Sequence, residues 1–141
     1  MNPFNLSEFL PYQLAVAATR VSRDFAAIYQ RDAGLSVPEW RVMAHLAQSG
    51  AVSVREIHAR VDMDKPKVSR AASRLESAGL IHKQSHPTDG RLVQLSLTKQ
   101  GEAMMQRLIP LAQGFHETLL QSLGADAAVM QRILSKLGEK S

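Results

Sequence analysis

The chain has 141 residues, of which 45% are apolar, with no cysteine and a net charge of +4. This length suits one domain with its own hydrophobic core, and the lack of cysteine excludes disulfides, thiolate metal sites and thiol-based redox sensing. The first basic residue is Arg20, and no apolar run approaches the ~20 residues that span a bilayer. The composition therefore predicts a cytoplasmic protein without a membrane segment.

The first two predicted helices are marked by their end signals. Apolar residues at steps of three and four from Tyr12 to Ala33 predict a long amphipathic helix, which Gly34 ends. The segment Ser36–Glu39 matches a capping box, in which the serine and glutamate side chains satisfy each other's backbone N–H groups. A second helix therefore follows and ends near Gly50.

Two more helices with a short break between them follow in the middle of the chain. The segment Ser53–Glu56 repeats the capping box, and a polar break at Asp62–Asp64 ends a short third helix. Asp64 or Lys65 caps the fourth helix, which ends near Gly79, and the spacing of its apolar residues places one stripe inward. The predicted inner residues are Val68, Ala71, Ala72 and Leu75. This pair has the short connection that a helix-turn-helix requires.

A β-hairpin and two further helices complete the predicted order. Leu80 to Lys83 and Leu92 to Leu97 have strand length and pattern, and Pro87–Gly90 supplies turn residues between them. Thr98 caps a fifth helix, and an apolar stripe ending at Leu137 marks a sixth. The predicted fold class is mainly α with a small β-hairpin wing.

The basic charge is concentrated around the helix pair and the hairpin. Between Ser53 and Arg91, eight Lys or Arg accompany five Asp or Glu, so most of the net positive charge lies in this stretch. A local basic excess favours a polyanionic partner, and an ordinary solvated surface is the alternative.

A helix-turn-helix followed by a hairpin has the layout of a winged helix-turn-helix. The major groove of DNA, ~12 Å wide, admits a helix, whereas the ~6 Å minor groove admits an extended chain or one side chain. Arg91 is the predicted minor-groove probe, because a guanidinium is attracted to the negative potential of that groove. Asp89 is close enough in sequence to brace the guanidinium. In the alternative interpretation, Asp89 and Gly90 are plain turn residues and Arg91 is one exposed charge.

The fourth helix supplies the remaining predicted DNA contacts. Ser69, Arg70 and Ser73 project where base edges would lie, and an arginine there can bond guanine with two hydrogen bonds. Lys65, Lys67 and Arg74 are predicted phosphate contacts, which set register and affinity but carry no sequence information. For any one of these residues, a solvated helix face is the alternative.

These segments resemble the MarR family of bacterial transcriptional regulators over nearly the whole chain. The resemblance is carried by "LSVPEWRVMAHL", "MDKPKVSRAASRLESAGLI" and "PTDGRLVQLSLTKQG", and its most specific pieces are "VSRAASRLESAGLI" and the wing. The wing of that family usually has Asp-Arg-Arg, where this chain has Asp89-Gly90-Arg91, so the middle arginine and its phosphate contact are missing.

The resemblance implies a homodimer that binds a near-palindromic operator and releases it when a small aromatic or phenolic ligand binds. A ligand-responsive repressor is the leading interpretation, although activation is equally compatible with the sequence. The resemblance also implies that residues 1–34 and 99–141 form the dimerisation helices around a DNA-binding lobe at residues 35–98. Strong apolar stripes in both terminal regions independently favour a second copy. Arg20 and Arg41 are candidate partners for a ligand carboxylate, and Trp40 is a candidate ligand contact, although a lone tryptophan is commonly a core residue.

Other functions have weaker support in the sequence. The five histidines are scattered over different elements without a helical i, i+4 pair, so we expect no metal site and no cofactor. No nucleophile elbow, phosphate-binding glycine loop or paired catalytic carboxylates is present, so we expect no enzymatic activity. A winged-helix module that binds another protein, without specific DNA binding, is the remaining alternative.

Overall fold

The structure is a computed structural model that describes residues 3–139. The helices are α1 (Leu10–Ala33), α2 (Val37–Ser49), α3 (Val54–Arg60), α4 (Lys65–Ser77), α5 (Lys99–Leu123) and α6 (Asp126–Gly138). The strands are β1 (Val52–Ser53), β2 (Ile81–Ser85) and β3 (Val93–Leu97). The predicted order of four helices, a hairpin and two helices is confirmed. The ends of the predicted dimerisation segments, residues 1–2 and 140–141, lie outside the described residues.

The chain forms two compact units that divide between Leu108 and Ile109, within α5. The first unit contains α1 to α4, the sheet and the start of α5. The second contains the rest of α5 and α6. None of the helices in residues 3–139 combines the length and the hydropathy that crossing a bilayer requires.

The helix ends follow the predicted signals with two differences. At Ser36 both capping-box bonds form, with Glu39 N–H donating to Ser36 Oγ (3.3 Å) and Ser36 N–H to Glu39 Oε1 (2.9 Å). Ser53 Oγ accepts from Glu56 N–H (3.1 Å), which is the serine half of the second box, and Ser53 also belongs to β1. Helix α1 begins at Leu10 rather than Tyr12, because a proline in a first turn loses no helical hydrogen bond.

The turn between α3 and α4 is closed by local contacts. Asp62 has a φ of +54°, a left-handed conformation that aspartate tolerates better than most residues. His58 Nδ1 lies 2.7 Å from the carbonyl oxygen of Met63 across this turn. Asp64 then caps α4 by accepting from the Lys67 N–H at 2.9 Å. The turn thus fixes where α4 begins relative to α3.

The sheet contains one strand more than the predicted hairpin. Its order is β1-β3-β2, and both pairs are antiparallel. In the hairpin, Ile81 pairs with Leu97 and Ser85 with Val93, whereas β1 adds the pair Val52 and Leu95. Leu95 is fully buried at the centre. The two-residue strand β1 therefore ties the start of α3 to the wing.

The core of the first unit lies beneath α4. All four predicted inner residues of α4 are buried, at 0–2% exposure, and they share a cluster with residues of α1, α2, the sheet and α5. Gly101 permits close packing here, because a Cβ at this position would overlap the carbonyl oxygen of Leu80. Thr98 connects the same two segments, because its hydroxyl donates to Gly79 O and accepts from Gly101 N–H. Burial of one face of α4 leaves its opposite face in solvent.

The second unit exposes much of its apolar surface. Helix α6 has no buried residue among those described, and its apolar side chains form a stripe at helical spacing. The residues of this stripe, between 40% and 56% exposed, are Val129, Met130, Ile133, Leu134 and Leu137. A stripe of this size on a soluble helix is typical of a surface that binds a partner.

Candidate nucleic-acid interface

Helix α4 presents a basic, polar face to solvent. All six side chains that the sequence predicts as DNA contacts on this helix are exposed; they are Lys65, Lys67, Ser69, Arg70, Ser73 and Arg74. The face is rigid because the other side of the helix is anchored in the core and its first turn is capped by Asp64. Such a helix can present hydrogen-bond donors at fixed positions.

A cleft of about 350 Å³ lies between α4 and the hairpin. Its lining includes four cationic side chains, Arg55, Lys65, Lys83 and Arg91, and two hydroxyls, Ser69 and Ser73. We call this the basic cleft. The other predicted contacts on α4, which are Lys67, Arg70 and Arg74, are exposed and do not line the cleft, and neither does Asp89 of the wing. The fold therefore brings the wing arginine and part of α4 to one concave surface.

Two basic residues of this cleft are absent from the sequence-based prediction. Arg55 lies in the first turn of α3, and Lys83 lies in β2. Both contribute to the local basic excess, which is the only signal in the sequence that points to them. Their convergence with α4 depends on the pairing of β1 and β2 with β3, which local periodicity does not predict.

Lys83 connects the hairpin to the outer face of α4. Its Nζ donates to Ser73 Oγ at 3.0 Å and lies 3.9 Å from Glu76 Oε1. The Ser73 oxygen thus accepts one hydrogen bond from Lys83, and its O–H can still donate to a ligand. The contact also offsets the negative charge of Glu76 on a face that is otherwise basic.

The wing contains the predicted brace between Asp89 and Arg91. Asp89 Oδ1 accepts from Arg91 N–H at 3.1 Å and from Arg91 Nε–H at 3.2 Å. Both bonds lower the pKa of Asp89 below its ordinary value, and the bond from the Arg91 backbone has the larger effect. The carboxylate therefore stays charged at a pH where an ordinary aspartate becomes protonated. The Arg91 side chain is 92% exposed. The guanidinium is therefore held at its Nε while its outer nitrogens face solvent.

The candidate ligand residues do not share one cleft. Trp40 is half-buried in an aromatic cluster, stacked on Tyr29 (centroids 5.3 Å apart) and edge-on to Phe25 (5.1 Å). Arg41 lines a cleft of about 300 Å³ between α1 and α2 together with Arg23, which the sequence-based prediction does not include.

Arg20 lies elsewhere on α1. It lines two shallow clefts, of about 340 and 390 Å³, together with other residues of the N-terminal region. Arg23 also lines the first of these. Near Arg41, burial raises the pKa of Tyr29 while the positive charge of Arg41 lowers it to a smaller extent, so the Tyr29 hydroxyl stays protonated. Arg41 thus shares a cleft with Arg23 and not with Arg20.

The histidines do not assemble a metal site in the described part of the chain. No group of three or more His, Asp or Glu side chains there has the geometry to hold a metal ion. His45 lies 3.4 Å from Arg60 across α2 and α3, and burial, followed by that charge, lowers the pKa of His45. His45 is therefore predominantly neutral near pH 7.

Comparisons with known proteins agree with this geometry. A family model described as MarR family matches residues 33–92, which contain the helix-turn-helix and the wing tip. The HTH-type transcriptional repressor IacR of Pseudomonas putida is 27% identical over 105 residues, covering 74% of this chain and 62% of that repressor's length.

Solved structures share the fold across nearly the whole chain. BpsR of Bordetella bronchiseptica, whose DNA binding is regulated by 6-hydroxynicotinic acid, has a TM-score of 0.81 at 24% identity and covers 99% of this chain and 100% of its own. NadR in complex with 4-hydroxyphenylacetate has a TM-score of 0.81 at 20% identity, with full coverage of both chains. Residues 33–92 of this chain are thus similar to the MarR family, and the chain shares the fold of solved regulators over nearly its whole length.

Proposed function

We propose that the protein is a homodimeric repressor that binds a near-palindromic operator and is released by a small aromatic acid. The observation that carries this proposal is the basic cleft, where an anchored helix and a braced arginine face the same side of the fold. Residues 35–98 form the DNA-binding lobe, and residues 1–34 and 99–141 form the dimerisation helices. The protein acts in the cytoplasm, where its operator is located.

Helix α4 enters the major groove. Arg70 and Ser69 reach base edges from the exposed face, and the Ser73 hydroxyl, which accepts from Lys83, donates its O–H to an acceptor on a base. Lys65, Lys67 and Arg74 contact phosphates on either side of the groove. Arg55 and Lys83, which line the basic cleft, add positive charge that attracts the DNA backbone.

The wing enters the neighbouring minor groove through Arg91. A guanidinium that Asp89 already holds loses less rotamer entropy on binding than a free side chain. The outer nitrogens of Arg91 remain available to the base edges and sugar oxygens of that groove. Asp89 thus acts on DNA through Arg91.

Dimerisation covers the exposed apolar stripe of α6. Side chains such as Ile133 and Leu134 are about half exposed, and burial of this stripe against a second copy removes apolar surface from water. A two-fold axis places two copies of α4 ~34 Å apart, the spacing of successive major grooves on one face of DNA. This symmetry is the reason to expect a near-palindromic operator.

DNA binding is tested through its salt dependence. Three phosphate-contacting cations per subunit, Lys65, Lys67 and Arg74, give about six contacts in a dimer, so affinity should fall about 10³-fold between about 50 and 200 mM salt. Fluorescence anisotropy with labelled duplex DNA measures this slope, and sedimentation gives the oligomeric state in the same buffers. Weak salt dependence would favour a protein-binding module, and a stable monomer that binds DNA tightly would contradict the dimer.

Ligand binding is tested by thermal shift with 4-hydroxyphenylacetate and 6-hydroxynicotinate, the acids named with NadR and BpsR, together with aromatic thioesters. A ligand that binds the native dimer raises its Tm. If the ligand binds the DNA-free dimer more tightly than the DNA-bound dimer, it also weakens DNA binding by the same factor. Arg41→Ala should abolish the shift, whereas Arg20→Ala, which changes a different cleft, should retain it. A shift lost only in Arg20→Ala would place the ligand on α1 instead.

A further inference from the structure

The wing tip, residues 86–92, contains a histidine with an unusual concentration of donors. His86 Nδ1 lies 3.2 Å from the backbone nitrogens of both Thr88 and Asp89, and 3.1 Å from the Thr88 hydroxyl. A backbone N–H can only donate, so Nδ1 must accept with its lone pair. Nδ1 is therefore the acceptor in these contacts.

These contacts continue through Asp89 to the exposed arginine. His86 Nδ1 holds the N–H of Asp89, and the Asp89 carboxylate holds the N–H and Nε–H of Arg91. The turn is closed below by two backbone bonds, Leu92 N–H to Asp89 O (3.0 Å) and His86 N–H to Leu92 O (2.9 Å). The side chains of His86 and Asp89 thus engage the N–H groups of three tip residues.

The tip has little else to define its shape. Pro87, Thr88, Gly90 and Arg91 are all exposed, so burial of apolar surface contributes little to their position. The conformation of such a loop depends on its own hydrogen bonds. Loss of the acceptor at residue 86 would release the N–H groups of Thr88 and Asp89 to water, and the backbone of Asp89 would then be held only through its carbonyl oxygen, by the Leu92 N–H.

We infer that His86 is the positioning residue of the wing, which orients Arg91 for DNA through the backbone of Asp89. This inference rests on the proposed function, because Arg91 must contact DNA for its orientation to affect binding. His86 contacts no DNA group in this role. It acts in the way that asparagine and aspartate act in tight turns, where a side-chain acceptor engages the N–H groups two and three residues later.

The inference predicts which substitutions retain function. In asparagine, Oδ1 stands at the same covalent position as Nδ1 in histidine, so His86→Asn keeps the acceptor without the ring. His86→Ala removes it. His82 provides a matched control, because it is an exposed histidine in β2, the strand that leads into the tip, and is separated from the tip by Lys83.

The experiment measures Kd by fluorescence anisotropy on a duplex of about 30 base pairs, long enough for two half-sites, selected from random DNA by the unmodified protein. His86→Ala should weaken binding roughly three- to tenfold, the range expected for one lost hydrogen bond. His86→Asn and His82→Ala should stay within about twofold of the unmodified protein. All variants should keep the same Tm.

A double-mutant cycle with Arg91→Ala shows whether His86 acts through the arginine. In the Arg91→Ala background, His86→Ala should cause no further loss, because the side chain that it positions is already absent. Equal losses in both backgrounds, equal losses in His86→Asn and His86→Ala, or full affinity in His86→Ala would each overturn the role of His86. If instead the unmodified protein binds no duplex, or Arg91→Ala binds with full affinity, the proposed function of the wing fails.

Discussion

Helix α4 and the wing tip both present basic side chains to solvent, but different interactions hold them. Helix α4 is anchored by four buried apolar side chains, whereas the wing tip is shaped by hydrogen bonds that His86 and Asp89 accept from its backbone. Because buried side chains hold α4 in place, substitutions of its exposed side chains should not change the position of the helix. The shape of the wing tip, in contrast, depends on the side chains that it exposes. Substitutions on the two elements should therefore differ in what they alter.

The largest expected effect is a loss of stability when a buried side chain of α4 is truncated. Leu75 is 1% exposed in the core of the first unit, so Leu75→Ala should lower the free energy of unfolding by about 2–5 kcal/mol, the range for cavities left by a buried leucine. Urea unfolding followed by circular dichroism measures the change. Ser77→Ala, an exposed position at the end of the same helix, is the matched control and should be nearly neutral. Equal stability of the two variants would show that burial does not hold α4.

The next effect concerns the wing and should appear in DNA binding alone. Arg91→Ala should cost about 1.5–3 kcal/mol of binding free energy, a loss of roughly 10- to 150-fold, because a charge-assisted contact disappears. The free energy of unfolding should not change, since the side chain is exposed. Arg91→Lys keeps the charge but lacks the planar fork, and should bind with intermediate affinity. If the lysine variant equals the alanine variant, geometry rather than charge determines the contact.

Arg70 should affect sequence preference more than affinity. Arg70→Ala should remove about 1–3 kcal/mol of discrimination at one base pair of each half-site while changing binding to unrelated DNA little. Lys67→Ala is the comparison on the same helix and should weaken binding to all sequences to a similar degree. Competition binding against single-base operator variants distinguishes the two patterns. A uniform loss in both variants would reassign Arg70 to phosphate contact.

The smallest expected effect is an increase in DNA affinity, caused by a substitution at Gly90. Gly90 has open space around the position of a Cβ and no positive φ, so a side chain fits there without strain. Gly90→Arg restores the arginine common at this position in related wings, and should strengthen DNA binding by up to about 1 kcal/mol and steepen the salt dependence by about one charge per subunit. Gly90→Ala separates the side chain from backbone stiffening and should leave the salt slope unchanged. A weaker Gly90→Arg variant would indicate that the tip approaches DNA too closely for a second guanidinium.

Features that depend on neighbouring residues could be predicted from the sequence. The buried stripe of α4 follows from its 3.6-residue period, and the caps at Ser36 and Asp64 follow from side chains that reach only three residues along the chain. The contact between Asp89 and Arg91 spans two residues and was predictable for the same reason. The contacts of His86 are equally local, but they were not predicted, because asparagine and aspartate are the usual side-chain acceptors in turns.

Features that join distant segments could not be predicted in this way. The pairing of β1 with β3 connects Val52 to Leu95, and a two-residue strand has too short a pattern to recognise. The positions of Arg55 and Lys83 in the basic cleft depend on that sheet. The separation of Arg20 from Arg41 likewise depends on how α1 and α2 pack.

The sequence by itself determined the order of the helices and hairpin, the buried side of α4 and the local brace of the wing, because each is set by interactions within a few residues. Only the tertiary structure decided which basic side chains share the cleft and that Arg23, rather than Arg20, accompanies Arg41. The physical reason is that convergence of distant residues depends on sheet register and helix packing, to which the whole core contributes.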